Sequence, residues 1–190
     1  MPAWAQRDTP EVAWCDMQSK RRDDQDWQLD PAIFRALDAD ARFGGAAGHS
    51  VDMFAGAGNA QLRRFWARWG CRGAEAVGAF KQCWRHENGF ANPPFVLIAR
   101  VVAEARQRGA ALTLVCQQDP QRLWWPLVRL GAPGVVAHRS FSNERCCYSV
   151  AGRPVLRPPR CKPLAVRLDF TLERRERELR ERLLGLSGAR

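Results

Sequence analysis

The tetrapeptide Asn92-Pro93-Pro94-Phe95 combines groups that can hold a planar base and its exocyclic amine. The side-chain oxygen of Asn92 and the carbonyl oxygen of Pro93 are two acceptors, one for each proton of such an amine. Two prolines stiffen the loop, since their φ angles are locked and they bring no competing donor. Phe95 offers a face on which an extruded base can stack. Acceptors placed in this way favour a pyramidal amine, the form that a weak nucleophile such as adenine N6 takes in a transition state.

The same tetrapeptide has a structural alternative, in which Pro-Pro merely begins a helix at residue 95 and Phe95 lies in the core. Its place in the chain favours the chemical interpretation. It follows a predicted strand over Asn88–Ala91 and precedes a predicted amphipathic helix over residues 96–108. Ligands of α/β proteins bind where strands end.

A second candidate feature is the predicted strand 50–54, which runs into Ala55-Gly56-Ala57-Gly58. Glycines after a strand let backbone amides approach a ligand. The third glycine of the dinucleotide fingerprint is missing, so the turn does not predict NAD. An ordinary tight turn is the alternative.

The net charge of +10, carried mostly by arginine, indicates a polyanionic partner, because arginine makes planar, bidentate contacts with phosphate and base edges. A biased composition without selection for binding is the alternative. Within residues 63–69, charges alternate with aromatic side chains, which predicts phosphate contacts by Arg63, Arg64 and Arg68 beside stacking surfaces. Aromatic residues in the core with arginines pointing outward explain the same segment equally well.

Bulk properties exclude several classes of protein. The chain of 190 residues is 46% hydrophobic, which predicts one folded domain with short extensions. It has no apolar run of the roughly 18 residues that a membrane span needs, and its start does not resemble a signal peptide. We therefore expect an intracellular protein, nuclear or cytoplasmic, with no membrane partner.

Seven cysteines without a C-x-x-C pair predict free thiols that act as small buried hydrophobic residues. Cys146 and Cys147 lie near His138 and Cys161 in sequence, but no ligand spacing repeats, so no metal is expected. His49, His86 and His138 form no catalytic pairing in the sequence and are expected on the surface or in loops.

Helices that alternate with apolar strands from residue 30 to 137 predict an α/β fold with a mostly parallel sheet. Asp30-Pro31 begins the first helix. Further helices are expected at 74–84 and after Pro120, and strands at 111–116, 135–137 and 165–170, the last with an antiparallel orientation left open. The expected organisation is a linker over residues 1–29, a domain over 30–170 and a charged helix within 171–190.

Three separated motifs, in this order, resemble the methyltransferase-like domain of tyrosine-recombinase (DIRS-group) retrotransposon polyproteins. That domain is similar to phage-type DNA N6-adenine methyltransferases. The resemblance covers about residues 12 to 130. Within it, residues 15–31, upstream of these motifs, are similar to the end of an RNase H domain, where Asp16 would match the last catalytic aspartate. The motifs are Val51-Asp52-x-Phe54-Ala55-x-x-x-Asn59-Ala60-Gln61-Leu62-x-Arg64-Phe65, Asn88-Gly89-Phe90-Ala91-Asn92-Pro93-Pro94-Phe95 and Trp124-Trp125-Pro126-Leu127.

The resemblance implies a Rossmann-like methyltransferase fold, S-adenosylmethionine as cofactor and DNA as partner. It implies that Asn92, Pro93, Pro94 and Phe95 form the base-amine site, and that the cofactor pocket is lined by Asp52, Phe54, Gly56 and Gly58. The chain departs from the family at three loop positions: Arg63 and Gln117 replace proline, and Asp119 replaces tryptophan.

Three functions stay open from the sequence. The first is an S-adenosylmethionine-dependent DNA adenine-N6 methyltransferase. The second is a catalytically inactive remnant that binds nucleic acid or scaffolds the retroelement machinery, and the third is a folded product of a decayed element. The intact tetrapeptide favours the first, and the altered loop positions favour the others.

Overall fold

The computed structural model describes residues 27–141, 148–150, 153–154 and 162–183. The predicted RNase H remnant around Asp16 and the cysteine pair at 146–147 lie outside the described residues. The helices are α1 (Pro31–Asp38), α2 (Ile98–Arg108), α3 (Trp125–Val128) and α4 (Thr171–Leu183). The strands are β1 (Trp27–Leu29), β2 (Val51–Asp52), β3 (Trp66–Ala67), β4 (Ala76–Val77), β5 (Asn88–Ala91), β6 (Ala111–Gln117), β7 (Val135–Ser140), β8 (Tyr148–Val150), β9 (Arg153–Pro154) and β10 (Pro163–Asp169).

The central sheet has the strand order β2-β5-β6-β10-β7. β5 pairs in parallel with β2 on one side and with β6 on the other. β10 is antiparallel to both β6 and β7, so β7 runs in the same direction as β2, β5 and β6. The fold is therefore mixed α/β with a mostly parallel central sheet, as the alternation of helices and strands predicts.

Two short strands extend this sheet beyond β2. Neighbouring residues of a strand direct their amides to opposite sides. Accordingly, the amide of Met53 donates to the carbonyl of Phe90 at 2.8 Å, while the amide of Asp52 donates to that of Arg64 at 3.0 Å. A parallel bridge joins Asp52 to Phe65, and β3 then pairs in parallel with β4. The continuous strand order is β4-β3-β2-β5-β6-β10-β7.

Helices cover both faces of the sheet because its central strands are apolar on both sides. On one face, α2 buries Ile98, Val101 and Ala105 against alternate residues of β6. On the other, α1 buries Phe34 and Leu37 in a cluster with β5 and β6.

Local signals place the ends of these two helices as predicted. The Asp30 carboxylate accepts the amides of Ala32 at 2.8 Å and Ile33 at 3.2 Å, and Pro31 opens α1. α2 ends at Gly109, whose φ of 59° is the left-handed conformation of a C-terminal glycine.

One predicted helix is wrong, and another is shorter than predicted. Residues 74–84 contain β4 and one turn of 3-10 helix (Ala79–Lys81), because Gly78 adopts φ 76° and interrupts helical backbone. The helix expected after Pro120 is limited to Trp125–Val128. Pro126 lacks an amide proton and therefore occupies the start of a helix instead of its interior.

Two further findings concern the ends of the predicted domain. Leu29, which was assigned to the linker, is fully buried in the cluster under α1, and β1 pairs with β8. The C-terminal helix α4 docks through polar contacts, since Leu172 and Leu179 are exposed while the Arg174 guanidinium donates to the carbonyls of Arg85 and Gly109.

The close packing of β2 on β5 predicts the effect of one substitution. A Cβ at position 89 would collide with Sδ of Met53 and lie 3.3 Å from Cβ of Leu112. We expect Gly89→Ala to lower the free energy of unfolding by about 1–3 kcal/mol, the usual cost of overpacking. The matched control is Gly70→Ala, because a Cβ at position 70 meets nothing within 4 Å. Urea denaturation measures both, and equal stability of the two variants would contradict the predicted packing constraint.

Candidate functional site

The structure brings the two candidate motifs together at one edge of the sheet. Asp52 pairs with Phe90, so the loops that follow β2 and β5 leave neighbouring strands side by side. The end of β3 joins them, because the amide of Ala55 donates to the carbonyl of Trp66 at 3.3 Å. We call the loops after β2, β3, β4 and β5 (residues 53–61, 68–74, 78–81 and 92–97) the carboxyl edge.

The side of the sheet to which the chain adds new strands changes at this edge. From β2 the chain builds outward to β3 and β4 on one side, and then to β5 and β6 on the other. Open α/β sheets bind ligands outside the carboxyl ends of the strands at such a switch point. The glycine turn and Asn92–Phe95 flank this point.

The glycine turn is closed by its own residues. Oδ1 of Asn59 accepts the Gly56 amide at 2.6 Å, and the Gly56 carbonyl accepts the amide of Ala60 at 3.1 Å. Neither Gly56 nor Gly58 has a positive φ. A Cβ at Gly58 meets nothing within 4 Å, and one at Gly56 makes only ordinary contact with Asn59. The fold therefore does not require glycine at either position, and the turn leaves room for a ligand against its backbone.

The buried carboxyl group of Asp52 stabilises the loop that contains this turn. Its side chain is 2% exposed, and its Oδ2 accepts the amide of Gln61 at 3.0 Å. Burial raises its pKa to about 7, and hydrogen bonds from the amides of Gln61 and Phe54 oppose that rise. The sequence predicts that Asp52 lines a cofactor pocket. In the structure its carboxyl group accepts the amide of Gln61 and so joins the two ends of the loop after β2.

Phe54 begins an aromatic wall at the same edge. Its ring packs edge-on against Phe80 at 5.4 Å between centroids, and the Arg100 guanidinium lies 3.9 Å from the Phe80 centroid. Phe54 and Phe80 are both half-buried, so each retains some exposed ring surface beside the turn.

Asn92–Phe95 begins a helix, as in the structural alternative, and it also lies at the carboxyl edge. The carbonyl of Pro94 accepts the amide of Leu97 at 2.8 Å and so begins the 3-10 turn (Phe95–Leu97) that leads into α2. Pro93 is buried and Pro94 exposed, while Asn92 and Phe95 are half-buried. The two prolines therefore start a helix, and they also hold Asn92 and Phe95 at the carboxyl edge.

The three predicted nucleic-acid arginines do not lie together. Arg64 precedes β3, and its guanidinium donates to Glu75 at 2.6 and 2.8 Å and to Glu87 at 3.0 and 2.8 Å. These hydrogen bonds, those to Glu75 first, raise its pKa further. Both carboxylates precede strands, so the cluster occupies the opposite, amino edge of the sheet. The assignment of Arg64 to phosphate is corrected, because two carboxylates already neutralise its charge. Arg63 is exposed on the same side of β3.

Arg68, in contrast, follows β3 and belongs to the carboxyl edge. Its guanidinium lies 5.2 Å from the ring centroid of Trp69, which is 61% exposed. Of the neighbouring aromatic residues, Phe65 and Trp66 are buried, so the core explanation holds for them and the stacking explanation survives only for Trp69. The exposed cations Arg72 and Lys81 lie on the same edge, and sequence reasoning missed them because only strand pairing places their loops there.

His49 is buried, against the surface position expected from the sequence. Its Nδ1 lies 2.8 Å from Oδ1 of Asp38, and its Nε2 lies 2.9 Å from Oγ1 of Thr113. Burial lowers its pKa, and the Asp38 carboxylate opposes that change. Thr113 is fully buried beneath α1 and also donates to the carbonyl of Phe43, so this chain of hydrogen bonds joins α1 to the sheet.

The thiols differ from one another. Cys116 is buried, and burial raises its pKa to about 12, whereas Cys71 and Cys83 are exposed, contrary to the expectation of buried cysteines. Within the described residues, no three His, Cys, Asp or Glu side chains are grouped so that they could hold a metal ion.

Comparisons with protein-family models, with curated proteins and with solved structures find no match to this chain. In the part of the chain that the structure describes, no helix has both the length and the apolar character needed to span a membrane.

The burial of Asp52 predicts a pH-dependent stability. Its folded pKa of about 7 lies above its ordinary value of 3.8, so between these values the folded state keeps a proton that the unfolded state has lost. Stability therefore falls as the pH rises through this window and levels off above it. Asp52→Asn mimics the neutral acid and does not ionise. We expect its stability relative to the original protein to rise by up to about 1.4 kcal/mol per pH unit across the window.

Urea denaturation at pH 5, 6, 7 and 8 measures this difference. Asp169→Asn, at a half-buried position opposite Ala111 at the amino edge of the sheet, controls for the general effect of removing a carboxylate. A difference between Asp52→Asn and the original protein that stays constant over the series would show that Asp52 is ionised throughout.

Proposed function

We propose that this chain is a methyltransferase domain with a Rossmann-like fold that transfers a methyl group from S-adenosylmethionine to adenine N6 in DNA. The observation that carries the proposal is the position of Asn92–Phe95 directly after β5, beside the glycine turn that follows the neighbouring strand β2. The resemblance of the sequence motifs supports the same conclusion.

The strand order supports the fold assignment. With β2, β3, β4, β5, β6, β7 and β10 counted as strands one to seven, the extended sheet runs 3-2-1-4-5-7-6. The classic doubly wound order is 3-2-1-4-5-6. This chain adds one antiparallel strand, β10, between the fifth and sixth. Apart from this insertion the sheet follows the doubly wound order, which supports the Rossmann-like part of the proposal.

The residues fit a cofactor at the glycine turn. Gly56 and Gly58 leave space that their own fold does not need, and Phe54 with Phe80 gives an apolar wall beside it. S-adenosylmethionine supplies an electrophilic methyl group when bound. Asp52 acts as a positioning residue in this proposal, because its buried carboxyl group holds the loop that forms the turn.

The chemistry at the base needs no strong general base. Asn92 and the Pro93 carbonyl would accept the two protons of the adenine amine and favour its pyramidal form. Phe95 would stack on a base extruded from the DNA duplex. Both prolines restrict the backbone of this loop, so the acceptors need little reorganisation when the reaction occurs.

A specific observation favours a second candidate, an inactive nucleic-acid-binding remnant. Rossmann-type sheets place a carboxylate near the end of the second strand for the ribose of the ligand. Here the second strand, β3, ends at Ala67, and the loop that follows it begins with Arg68 and contains no acid. At the altered position 119, the carboxylate pairs with Arg122 at 2.8 Å. Gln117, a second altered position, is the buried last residue of β6 and does not lie in a loop as the sequence predicts.

Cofactor binding is tested first. We expect calorimetric titration to detect S-adenosylmethionine binding by the original protein and a loss of at least about tenfold in Gly56→Val, because the branched side chain would fill the space over the turn. The matched control is Ala36→Val, which adds the same kind of bulk at an exposed position of α1. Thermal unfolding verifies that both variants are folded. No affinity in the original protein, or unchanged affinity in Gly56→Val, removes the cofactor from the proposal.

The second test concerns Asn92 and separates the two candidates. Loss of one preorganised polar contact costs about 100- to 1,000-fold in rate. We therefore expect Asn92→Ala to lose methyl transfer by this factor while its affinity for S-adenosylmethionine stays nearly unchanged. Asn92→Asp, which keeps an acceptor oxygen, should retain part of the activity.

Transfer of tritium from labelled cofactor to DNA measures this activity, with adenine-free DNA as the control substrate. If the original protein binds both ligands but transfers nothing, the inactive remnant becomes the better description. Restoration of proline at positions 63 and 117 and tryptophan at 119 then tests whether activity has decayed.

A further inference from the structure

We propose that the loop after β3, residues 68–73, binds a single nucleic-acid strand, with Trp69 as the stacking surface and Arg68 and Arg72 as the phosphate contacts. This inference rests on the nucleic-acid partner of the proposed function and names the surface that holds it. It does not require methyl transfer, so it applies to both candidates above.

Trp69 is unusual among the aromatic residues that the structure describes. Among the aromatic residues whose burial the structure describes, it alone is exposed, at 61%, while the others contribute to the core clusters or are at least half-buried. An indole exposed to this extent buries little apolar area in the fold. Its π-face can instead stack on any base, which is how single-strand-binding proteins gain affinity without reading sequence.

The charges beside Trp69 suit phosphate. The Arg68 guanidinium lies 5.2 Å from the ring centroid, and Arg72 follows three residues after Trp69. Among the described residues, no carboxylate pairs with either arginine, in contrast to Arg64, which is held by two. Both guanidinium groups therefore remain available to an anionic ligand.

The wider carboxyl edge has the same sign of charge. The four loops of this edge contain no aspartate or glutamate. They carry the cations Arg68, Arg72 and Lys81. At the amino edge, Glu75 and Glu87 neutralise Arg64. A polyanion is consequently attracted more strongly to the carboxyl edge than to the neutralised Arg64 cluster at the amino edge.

The spacing connects this loop to the base-amine site. β3 and β5 flank β2, and neighbouring strands lie about 4.8 Å apart, so the loops after β3 and β5 begin about 10 Å from each other. Three stacking steps of about 3.4 Å, or about four nucleotides, span that distance. One strand can thus place one base against Trp69 and a nearby base at Phe95. A duplex hides its base faces, which favours a single strand as the ligand.

Fluorescence anisotropy with a labelled adenine-containing oligonucleotide tests the surface, in the absence of any cofactor. We expect Trp69→Ala to weaken binding of the single strand by about 5- to 100-fold, the usual effect of losing one stacking residue, and Trp69→Phe to retain most of the affinity. The double variant Arg68→Ala/Arg72→Ala should bind more weakly, and the slope of log affinity against log salt should become shallower by about 1.4.

The matched control is Arg175→Ala, which removes an exposed charge from α4, away from the carboxyl edge. Its affinity and salt slope should equal those of the original protein. DNA and RNA oligonucleotides of one sequence identify which strand the surface prefers, and binding of either supports the proposal. Equal affinity of Trp69→Ala and the original protein, a slope unchanged in the double variant, or binding to anionic vesicles but to neither oligonucleotide would overturn it.

The outcomes also separate this inference from the proposed function. If the variants lose binding while the original protein transfers no methyl group, the surface stands and the enzymatic proposal fails. If the original protein methylates DNA while the variants bind as it does, the enzymatic proposal stands and the strand lies elsewhere.

Discussion

The parallel pairing of β2 with β5 packs the backbone of Gly89 so closely against the side chain of Met53 that an added Cβ would collide with its sulfur. The carboxyl ends of the two strands then lie next to each other, and so do the loops that follow them. The glycine turn and Asn92–Phe95 are about 35 residues apart in the chain. Without this pairing neither loop forms a site with the other, and the strand order has no point of reversal at which a ligand binds.

The two edges of the sheet divide the charged residues by task. At the amino edge, polar groups satisfy one another: Arg64 joins Glu75 and Glu87, and Asp38 holds His49 beneath α1. These contacts order the segments that enter the strands. At the carboxyl edge the cations lack such partners among the described residues, which leaves their charge available to a ligand. Folding therefore brings three exposed cations, Arg68, Arg72 and Lys81, to the edge where the candidate motifs lie.

The two candidate functions share this edge and differ in what the ends of its strands offer. Asn92–Phe95 retains the groups for binding a base amine, whereas Arg68 and the pairing of Asp119 with Arg122 alter the neighbouring loops. Binding of a nucleic-acid strand and transfer of a methyl group depend on different parts of the edge. Loss of the second function is consequently compatible with retention of the first, because stacking and phosphate contacts need no cofactor.

Local signals in the sequence determined much of the fold. Asp30, Gly109 and the apolar pattern of the chain, including the continuous apolar run after Gly109, placed α1, β5, α2 and β6, since capping and helical spacing act between near neighbours in the chain. They also placed the tetrapeptide between a strand and a helix. Only the tertiary structure decided the partners of Arg64, the burial of Asp52 and the insertion of β10 between β6 and β7. Each of these depends on contacts between distant segments, and a charged residue reads the same in sequence whether a carboxylate faces it or a ligand does.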